Sequence, residues 1–162
     1  MKKLILIRHS KSSWKDMSLT DFNRPLNRRG KLDGPLMAFY LSNRIVKIDY
    51  LHSSSSVRTF ETSKYFINQI QFGKIEYDDS LFHCSSLSIL KMIMNYSEDY
   101  QSAMIIAHNP GLTNLINNIT NISLDNLPTT GLAEIEFNCD AWIKISYENS
   151  NLVDLKFPKQ LK

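Results

Sequence analysis

The stretch Lys3-Leu4-Ile5-Leu6-Ile7-Arg8-His9-Ser10-Lys11-Ser12 decides the fold, because it joins an apolar run directly to a polar, cationic loop. The apolar part has no alternating polar positions, which is typical of a strand that is covered on both faces. A short run with one Asp occurs at residues 48–51, and a wholly apolar run occurs at 103–107. Each of these three runs predicts a buried strand.

Longer amphipathic segments separate the apolar runs. Apolar residues recur at helical spacing over residues 30–45, 57–70, 86–96 and 112–119, and a further short strand is predicted at 75–77. Strands that alternate with helices favour a parallel sheet with right-handed crossovers. We therefore expect an α/β fold with three layers, α/β/α, around a central, mainly parallel sheet.

The last third of the chain has a different pattern. Residues 132–137, 142–147 and 152–157 alternate between apolar and polar positions, and short polar turns separate them. This pattern is typical of antiparallel strands. We expect all three segments to form antiparallel C-terminal strands at an edge of the sheet.

The composition fits a single domain over residues 1–162. Of the 162 residues 43% are hydrophobic and 22% are charged, which excludes the disordered and low-complexity classes. No apolar run approaches the ~18 residues of a membrane-spanning helix, and the run at 4–7 is too short for the core of a signal peptide. We therefore expect a soluble, cytoplasmic protein with no membrane partner.

Positive charge is concentrated in residues 1–31. This segment has nine Lys and Arg against two Asp, a net charge of +7, and the rest of the chain carries −4 of the overall +3. Such a segment attracts anions, whether a phosphate group, an acidic protein or a nucleic acid. We do not expect a nucleic-acid partner, because interleaved aromatic platforms and a recognisable reader motif are missing.

Basic side chains follow the predicted buried strands at the point where each strand ends. Arg8 and His9 follow the first strand, Arg58 begins the helix after the second strand, and His108 follows the strand at 103–107. The carboxyl ends of parallel strands open on one edge of the sheet, where ligands bind. We expect these four side chains to converge on one crevice.

Two imidazoles and two guanidinium groups form a set suited to phosphoryl transfer. A neutral imidazole can accept a phosphoryl group as a covalent intermediate, and adjacent arginines help to keep it unprotonated. Guanidinium groups bind the phosphoryl oxygens bidentately.

The sequence shows no sign of a metal or cofactor site. Arginines beside the histidines disfavour a metal ion, and no Walker loop, dinucleotide motif or acidic metal cluster is present. We expect neither a metal nor a cofactor.

Five sequence motifs occur in order over about residues 3–147. They are Leu6-Ile7-Arg8-His9-Ser10-Lys11-Ser12-Ser13-Trp14, Asp21-Phe22-Asn23-Arg24-Pro25-Leu26-Asn27 with Arg29-Gly30, Ser54-Ser55-Ser56-Val57-Arg58-Thr59-Phe60-Glu61-Thr62, Ala107-His108-Asn109-Pro110-Gly111-Leu112 and Leu127-Pro128-Thr129-Thr130-Gly131. Together they resemble the histidine phosphatase superfamily, and within it the small SixA-type phosphohistidine phosphatases.

The resemblance implies roles for individual residues. His9 would be the nucleophile that becomes phosphorylated, Arg8 and Arg58 would bind the phosphoryl oxygens, and His108 would contact them as the second histidine of the pocket. Ser10 stands where many members of the superfamily have Gly.

Further residues are expected to bind substrate around the pocket, namely Lys11, Ser12, Trp14, Asn109 and Arg24. Arg24 and Asp21 match a signature of the superfamily. For this pair both a contact with substrate and an internal salt bridge that fixes the loop are open.

The proton donor is the least defined part of the predicted site. Related mutases and phosphatases have an acidic residue midway between the equivalents of Arg58 and His108, and here His83 lies near that position. His83 is therefore a possible proton donor, with a surface or capping residue as the other interpretation. A phosphorylated imidazole also needs less help in leaving than an alkoxide does.

The sequence predicts a phosphatase that acts through phospho-His9 on phosphoramidate or phosphomonoester bonds, and we favour protein phosphohistidine as the substrate. Only 49 residues separate Arg58 from His108, which leaves little chain for a lid over the pocket. The partner would be a phosphorylated protein or a small phosphorylated substrate. A small-molecule phosphomonoesterase or mutase-like enzyme is one alternative, and a non-catalytic phosphoprotein-binding module is another.

Overall fold

The computed structural model describes residues 1–162. Its elements are β1 (Lys2–Arg8), α1 (Arg28–Ser42), β2 (Lys47–Ser54), α2 (Val57–Ile67), β3 (Gln71–Asp78), α3 (Ser86–Met94), β4 (Ser102–Ala107), α4 (Gly111–Ile119), β5 (Leu132–Phe137) and β6 (Ser150–Lys156). None of the helices combines the length and the apolar character that crossing a membrane requires.

The six strands form one sheet in the order β3-β2-β4-β1-β5-β6. The first four of these are parallel, whereas β5 runs antiparallel to β1, and β6 runs antiparallel to β5. The prediction of an α/β fold with a mainly parallel sheet and antiparallel C-terminal strands at one edge is therefore confirmed.

Two apolar cores cover the two faces of the sheet. Leu4 and Leu6 of β1 pack in a cluster with residues of α3 and α4, and Ile5 and Ile7 pack in a second cluster with residues of α1 and α2. Successive side chains of a strand point to opposite faces. Because both faces of β1 are buried, its run of apolar residues has no polar alternation.

One predicted element of the C-terminal third is wrong. Residues 142–147 form no strand, and two short 3-10 turns lie at Trp142–Lys144 and Tyr147–Asn149 instead. Trp142 is fully buried, its indole N–H donates to the carbonyl of Tyr100 at 2.8 Å, and its backbone N–H donates to the Glu98 carboxylate. Both donors bind the turn before β4, so this segment packs on the core rather than pairing with a strand.

Helix α1 begins earlier than its apolar pattern predicts. Asn27 precedes the first turn, and its side-chain oxygen accepts a hydrogen bond from the backbone N–H of Gly30 at 2.9 Å. This cap satisfies one of the free donors of the first turn. Gly30 packs closely, since a Cβ there would lie 2.2 Å from the carbonyl oxygen of Lys11. The start of α1 is thereby fixed against the loop that follows β1.

Candidate active site

A polar cavity of about 430 Å³ lies at the carboxyl ends of the parallel strands. It is lined by twelve residues: Arg8, His9, Lys11, Ser12, Trp14, Asp21, Arg24, Arg58, His83, His108, Asn109 and Thr129. The structure thus brings together all ten site residues that the sequence predicts, and it adds Asp21 and Thr129.

The register of two neighbouring strands places the two histidines side by side. Arg8, the last residue of β1, pairs with Ala107, the last residue of β4, so His9 and His108 leave the sheet next to each other. Their ring centroids are 5.2 Å apart. Arg58 comes from the first turn of α2, directly after the end of β2, and is 2% exposed.

The His9 side chain is held in one tautomer. Its Nδ1 lies 2.8 Å from the carbonyl oxygen of Ser10, and because a carbonyl oxygen can only accept, Nδ1 carries the proton. The lone pair is then on Nε2, to which Arg58 donates from Nε at 3.3 Å. The nucleophilic nitrogen of His9 therefore faces a guanidinium group.

The surroundings of His9 keep its ring neutral. Burial lowers the pKa of His9 well below its ordinary value of 6.5, and the charges of Arg58 and Arg8 lower it further. The hydrogen bond to Ser10 acts in the opposite direction but does not outweigh these effects. The imidazole is therefore available as a nucleophile at neutral pH.

His108 is also neutral and can change its hydrogen bonding. Burial lowers the pKa of His108 to about 3, and the charges of Arg58 and His83 contribute. Its Nδ1 lies 3.4 Å from a terminal nitrogen of Arg58, and its Nε2 lies 2.9 Å from the hydroxyl of Ser54. A hydroxyl can donate or accept, so Ser54 supports a tautomer in which His108 Nδ1–H donates to an anion.

Arg58 and Arg8 differ in how many of their N–H donors are already hydrogen-bonded within the protein. Arg58 donates to both the backbone carbonyl and the carboxylate of Asp21. Arg8 has no carboxylate partner, donates from one terminal nitrogen to the carbonyl of Leu127 at 2.9 Å, and has a buried Nε with no partner. Arg8 therefore retains donor capacity for an anion in the cavity.

Asp21 links three basic side chains at the cavity rim. Its carboxylate accepts from Arg24 at 2.8 Å, from Arg58 at 3.1 Å and from His83 Nε2 at 2.7 Å. Burial by itself would raise the pKa of Asp21, but the hydrogen bonds from His83 and Arg24 and the charge of Arg58 hold it well below its ordinary value. Asp21 is consequently an ionised acceptor and not a proton donor.

Arg24 is engaged in the internal salt bridge that the sequence left open. Besides Asp21 it contacts the hydroxyl of Ser12 at 2.9 Å, and its guanidinium carbon lies 3.4 Å from the centre of the Trp14 ring. Trp14 itself is 64% exposed. Arg24 therefore joins the buried part of the site to an exposed aromatic side chain at the rim.

The Asn109 side chain is used within the protein. Its amide donates to the Asn126 side chain and to the Leu127 carbonyl, and its oxygen accepts from Thr113. The backbone N–H of Asn109 forms no hydrogen bond with another residue. The backbone N–H is thus the donor that Asn109 can offer to a ligand.

Comparison with known sequences finds a distant relative but no matching family model. No protein-family model matches the chain. An uncharacterized chloroplastic protein of Arabidopsis thaliana is 28% identical over 151 residues, which is 87% of this chain and 69% of that protein.

Solved structures match over almost the whole chain. The protein designated phosphohistidine phosphatase SixA from Agrobacterium tumefaciens has a TM-score of 0.82 and 25% identity, covering 97% of this chain and 98% of its own. The protein histidine phosphatase SixA in complex with tungstate has a TM-score of 0.78 and 19% identity, covering 99% of both chains. The protein is a phosphatase with the histidine phosphatase fold.

Sequence reasoning missed a backbone feature of this phosphatase. Only two residues other than glycine have a positive φ, His83 at 53° and Thr130 at 59°, and both adjoin the cavity. A β-branched residue in this conformation is strained, and strained residues cluster at functional sites. Thr130 lies within the motif at residues 127–131, but the residue types of that motif do not indicate a positive φ at this position.

Thr130 supports the loop that carries the histidine nucleophile of the predicted site. Its backbone N–H donates to the carbonyls of Arg8 and His9 at 3.0 and 3.1 Å, and its hydroxyl donates to that of Ser10 at 2.9 Å. The Ser10 N–H donates in turn to Thr62 at 2.9 Å. These bonds fix the Ser10 carbonyl, and through it the orientation of the His9 ring.

Proposed function

We propose that this phosphatase removes phosphoryl groups from phosphohistidine on proteins through a covalent phospho-His9 intermediate, without a metal ion. The observation that carries the proposal is the pairing of His9 Nε2 with Arg58 at 3.3 Å, while Ser10 holds Nδ1. A neutral, oriented imidazole beside a guanidinium group can attack a phosphoryl group whose oxygens that guanidinium binds.

The first step transfers the phosphoryl group to His9. Arg8 and Arg58 bind its oxygens, and the lone pair of Nε2 attacks phosphorus from the base of the cavity. The N–P bond of the substrate breaks, and its electron pair leaves with the substrate imidazole, which takes up a proton. Positive charge fixed around the three equatorial oxygens stabilises this transition state.

We assign delivery of that proton to His83. Its ring lies at the cavity rim, half exposed, and its hydrogen bond of 2.7 Å to Asp21 orients it. The centre of its ring lies 5.6 Å from that of His108. Because Asp21 is ionised and accepts hydrogen bonds, His83 is the rim residue suited to donate.

The second step returns the enzyme to its starting state. Water attacks the phosphorus of phospho-His9 and passes a proton to His83, which gave one up in the first step. The N–P bond breaks, and the electron pair returns to Nε2 as phosphate leaves. The arginine contacts that stabilised the first transition state also stabilise the second, since the same oxygens carry the charge. His9 is neutral again with its proton on Nδ1.

The shape of the site supports a protein substrate. His9 is 7% exposed at the base of the cavity, whereas Trp14 and His83 at the rim are more than half exposed. The segment between Arg58 and His108 is used by α2, β3, α3 and β4 with one short 3-10 turn, so no separate domain covers the opening. A side chain presented by another protein can reach a site of this form.

The test of catalysis compares the wild type with His9→Ala on p-nitrophenyl phosphate in the presence of EDTA. We expect the wild type to turn over and the variant to lose about 10⁴-fold or more in kcat, because the covalent route is removed. The variant retains Arg8 and Arg58, so it should still bind tungstate. Equal activity of the two proteins would contradict the proposal, and no turnover by a tungstate-binding wild type would indicate a binding module.

The test of the substrate class uses one carrier protein phosphorylated on histidine and one phosphorylated on serine. We expect a higher kcat/KM for the phosphohistidine protein, because the imidazole leaving group protonates near neutral pH and an alkoxide does not. Equal kcat/KM values for both would contradict this specificity.

The role of His83 is tested through the leaving group. His83→Gln should lower kcat for an alkyl phosphate by about 10²-fold, within the range for a general acid, and leave p-nitrophenyl phosphate almost unaffected. Nitrophenolate is a good leaving group that needs no proton. Equal losses on both substrates would show that His83 acts on the structure of the site and not on the leaving group.

A small phosphomonoester is a second candidate substrate. The cavity volume of about 430 Å³ is within the range for small-molecule sites. The phosphoserine phosphatase from Entamoeba histolytica, crystallised with 3-phosphoglyceric acid, matches with a TM-score of 0.70 at 13% identity, covering 100% of both chains. A kcat/KM for free phosphoserine that exceeds that for the phosphohistidine protein would favour this candidate.

A further inference from the structure

A second, basic cavity lies beside the active site. It has a volume of about 380 Å³ and is lined by Ser13, Lys15, Pro25, Leu26, Asn27, Arg28 and Arg29. We refer to these seven residues as the basic groove. Lys15, Arg28 and Arg29 are all exposed.

A single two-stranded ribbon separates the basic groove from the active site. Its segments 11–13 and 25–27 are joined by hydrogen bonds from the Ser13 N–H to the Pro25 carbonyl at 2.8 Å and from the Asn27 N–H to the Lys11 carbonyl at 2.9 Å. Lys11 and Ser12 line the active site, whereas Ser13 and Pro25 line the groove. The two cavities therefore share one thin wall.

The cations of the groove are largely unpaired. Lys15 and Arg28 form no salt bridge, and neither does Lys11 on the other side of the ribbon; only Arg29 has a partner, Asp33 at 3.2 Å. One carboxylate approaches the ribbon from α2, that of Glu61, and it accepts the N–H of Leu26. Unpaired cations on an exposed surface attract an anionic partner.

A protein substrate must cover more than the mouth of the active site. Specific interfaces bury about 800 Å² on each partner. A protein that presents a phosphorylated side chain to His9 will therefore cover neighbouring surface, and the basic groove is only one ribbon away.

We propose that the basic groove is a docking surface for an acidic face of the phosphoprotein substrate, next to its phosphohistidine. This inference rests on the proposed function and adds the chemistry of the partner. Complementary charge at the rim of an interface acts mainly on association, so the groove contributes to capture of the protein and not to phosphoryl transfer.

The test uses two charge-reversal variants with the same change in net charge. Lys15→Glu/Arg28→Glu alters the groove, and Lys91→Glu/Lys159→Glu alters two exposed lysines without salt bridges outside it. The substrates are p-nitrophenyl phosphate and two carrier proteins of similar size, one acidic and one basic, each phosphorylated on histidine.

The groove variant should lose about 10–100-fold in kcat/KM on the acidic carrier, the range that electrostatic steering covers. Most of the loss should be in KM, and it should shrink at high salt. The control variant should lose much less, and turnover of p-nitrophenyl phosphate should be unchanged in both.

Two results would overturn the docking proposal alone: equal losses in the groove and control variants, or a wild type that prefers the basic carrier. A wild type that hydrolyses p-nitrophenyl phosphate but neither carrier would overturn the proposed protein substrate, and the docking surface with it. A groove variant that loses p-nitrophenyl phosphate activity would show that the groove supports the catalytic site itself.

Discussion

The two ends of the parallel sheet both carry basic side chains, but their charges are balanced differently. At the amino end, Lys2 pairs with Glu98 at 3.2 Å, and Lys3 pairs with Glu134 and Glu136, each at 3.2 Å. At the carboxyl end, Arg8 has no carboxylate partner.

The contrast distinguishes structural cations from cations available to a ligand. A buried charge is costly unless it is paired, and the amino end meets this requirement within the chain. The carboxyl end concentrates three arginines, one lysine and two neutral histidines around a cavity, with Asp21 at its rim as the single acidic lining residue. An anionic substrate completes the charge balance there.

Among variants that compare the two ends of the sheet, the largest effect is expected from removing a cation at the carboxyl end. Arg8→Ala should lower kcat/KM by about 10²–10³-fold, since loss of one preorganised contact to a developing oxyanion costs ~3–4 kcal/mol. Steady-state kinetics on p-nitrophenyl phosphate measure it. Lys3→Ala at the amino end is the matched control and should retain activity; similar losses in both variants would remove the distinction between the two ends.

The next largest effect concerns the strained residue behind His9. Glycine adopts the positive φ of residue 130 without steric strain, but Thr130→Gly loses the hydroxyl that binds Ser10. The His9 ring should then be misoriented, so kcat should fall about 10-fold while KM is unchanged. Thr130→Ser keeps the hydroxyl and should restore kcat. Thermal unfolding of the same proteins provides the control, because a purely structural role would change Tm and leave kcat intact.

A smaller effect, on stability alone, is expected at the amino end. Lys2→Met retains the buried stem but removes the donor to the carbonyls of Glu98 and Tyr100, at 3.0 and 2.8 Å. The free energy of unfolding should fall by about 2 kcal/mol, as for buried acceptors left unsatisfied, and kcat/KM should not change. Urea unfolding gives the first quantity, and a drop in kcat/KM of the folded variant would be unexpected.

The effect that is smallest at neutral pH is a gradual dependence of stability on pH, which grows only as the solution becomes acidic. The pKa of His108 is lowered to about 3 in the folded protein, below the ~6.5 of an unfolded histidine. The unfolded chain therefore binds the proton first, and stability should fall by up to about 1.4 kcal/mol per pH unit as pH drops below 6.5. His108→Gln should show a shallower decline; an identical slope would contradict a neutral His108.

Much of the arrangement at the carboxyl end of the sheet could be predicted from the sequence. Strand ends are marked where an apolar run meets a charged residue, as at Ile7-Arg8 and Ala107-His108, and parallel topology then brings His9 and His108 together. The position of Arg58 after β2 follows from the same rule. Local pattern and topology were sufficient because each of these residues lies within a few positions of a strand end.

Other features depend on partners that are distant along the chain. The salt bridges of Asp21 involve Arg58 and His83, which are 37 and 62 residues away. The alternating pattern of residues 142–147 resembled a strand, but hydrogen bonds to the turn at 98–100 determined its structure. Hydrogen bonds between distant segments leave no periodic signal in the sequence.

The central claim is that His9 accepts the phosphoryl group, and direct trapping tests it. The enzyme is mixed with a carrier protein that bears radioactive phosphohistidine, quenched in alkali after a short interval, digested and mapped by peptide. We predict label on the peptide that contains His9, stable in alkali and labile in acid, appearing and decaying at the rate of turnover and missing in His9→Ala. Turnover at the normal rate with no label on His9 would contradict the account.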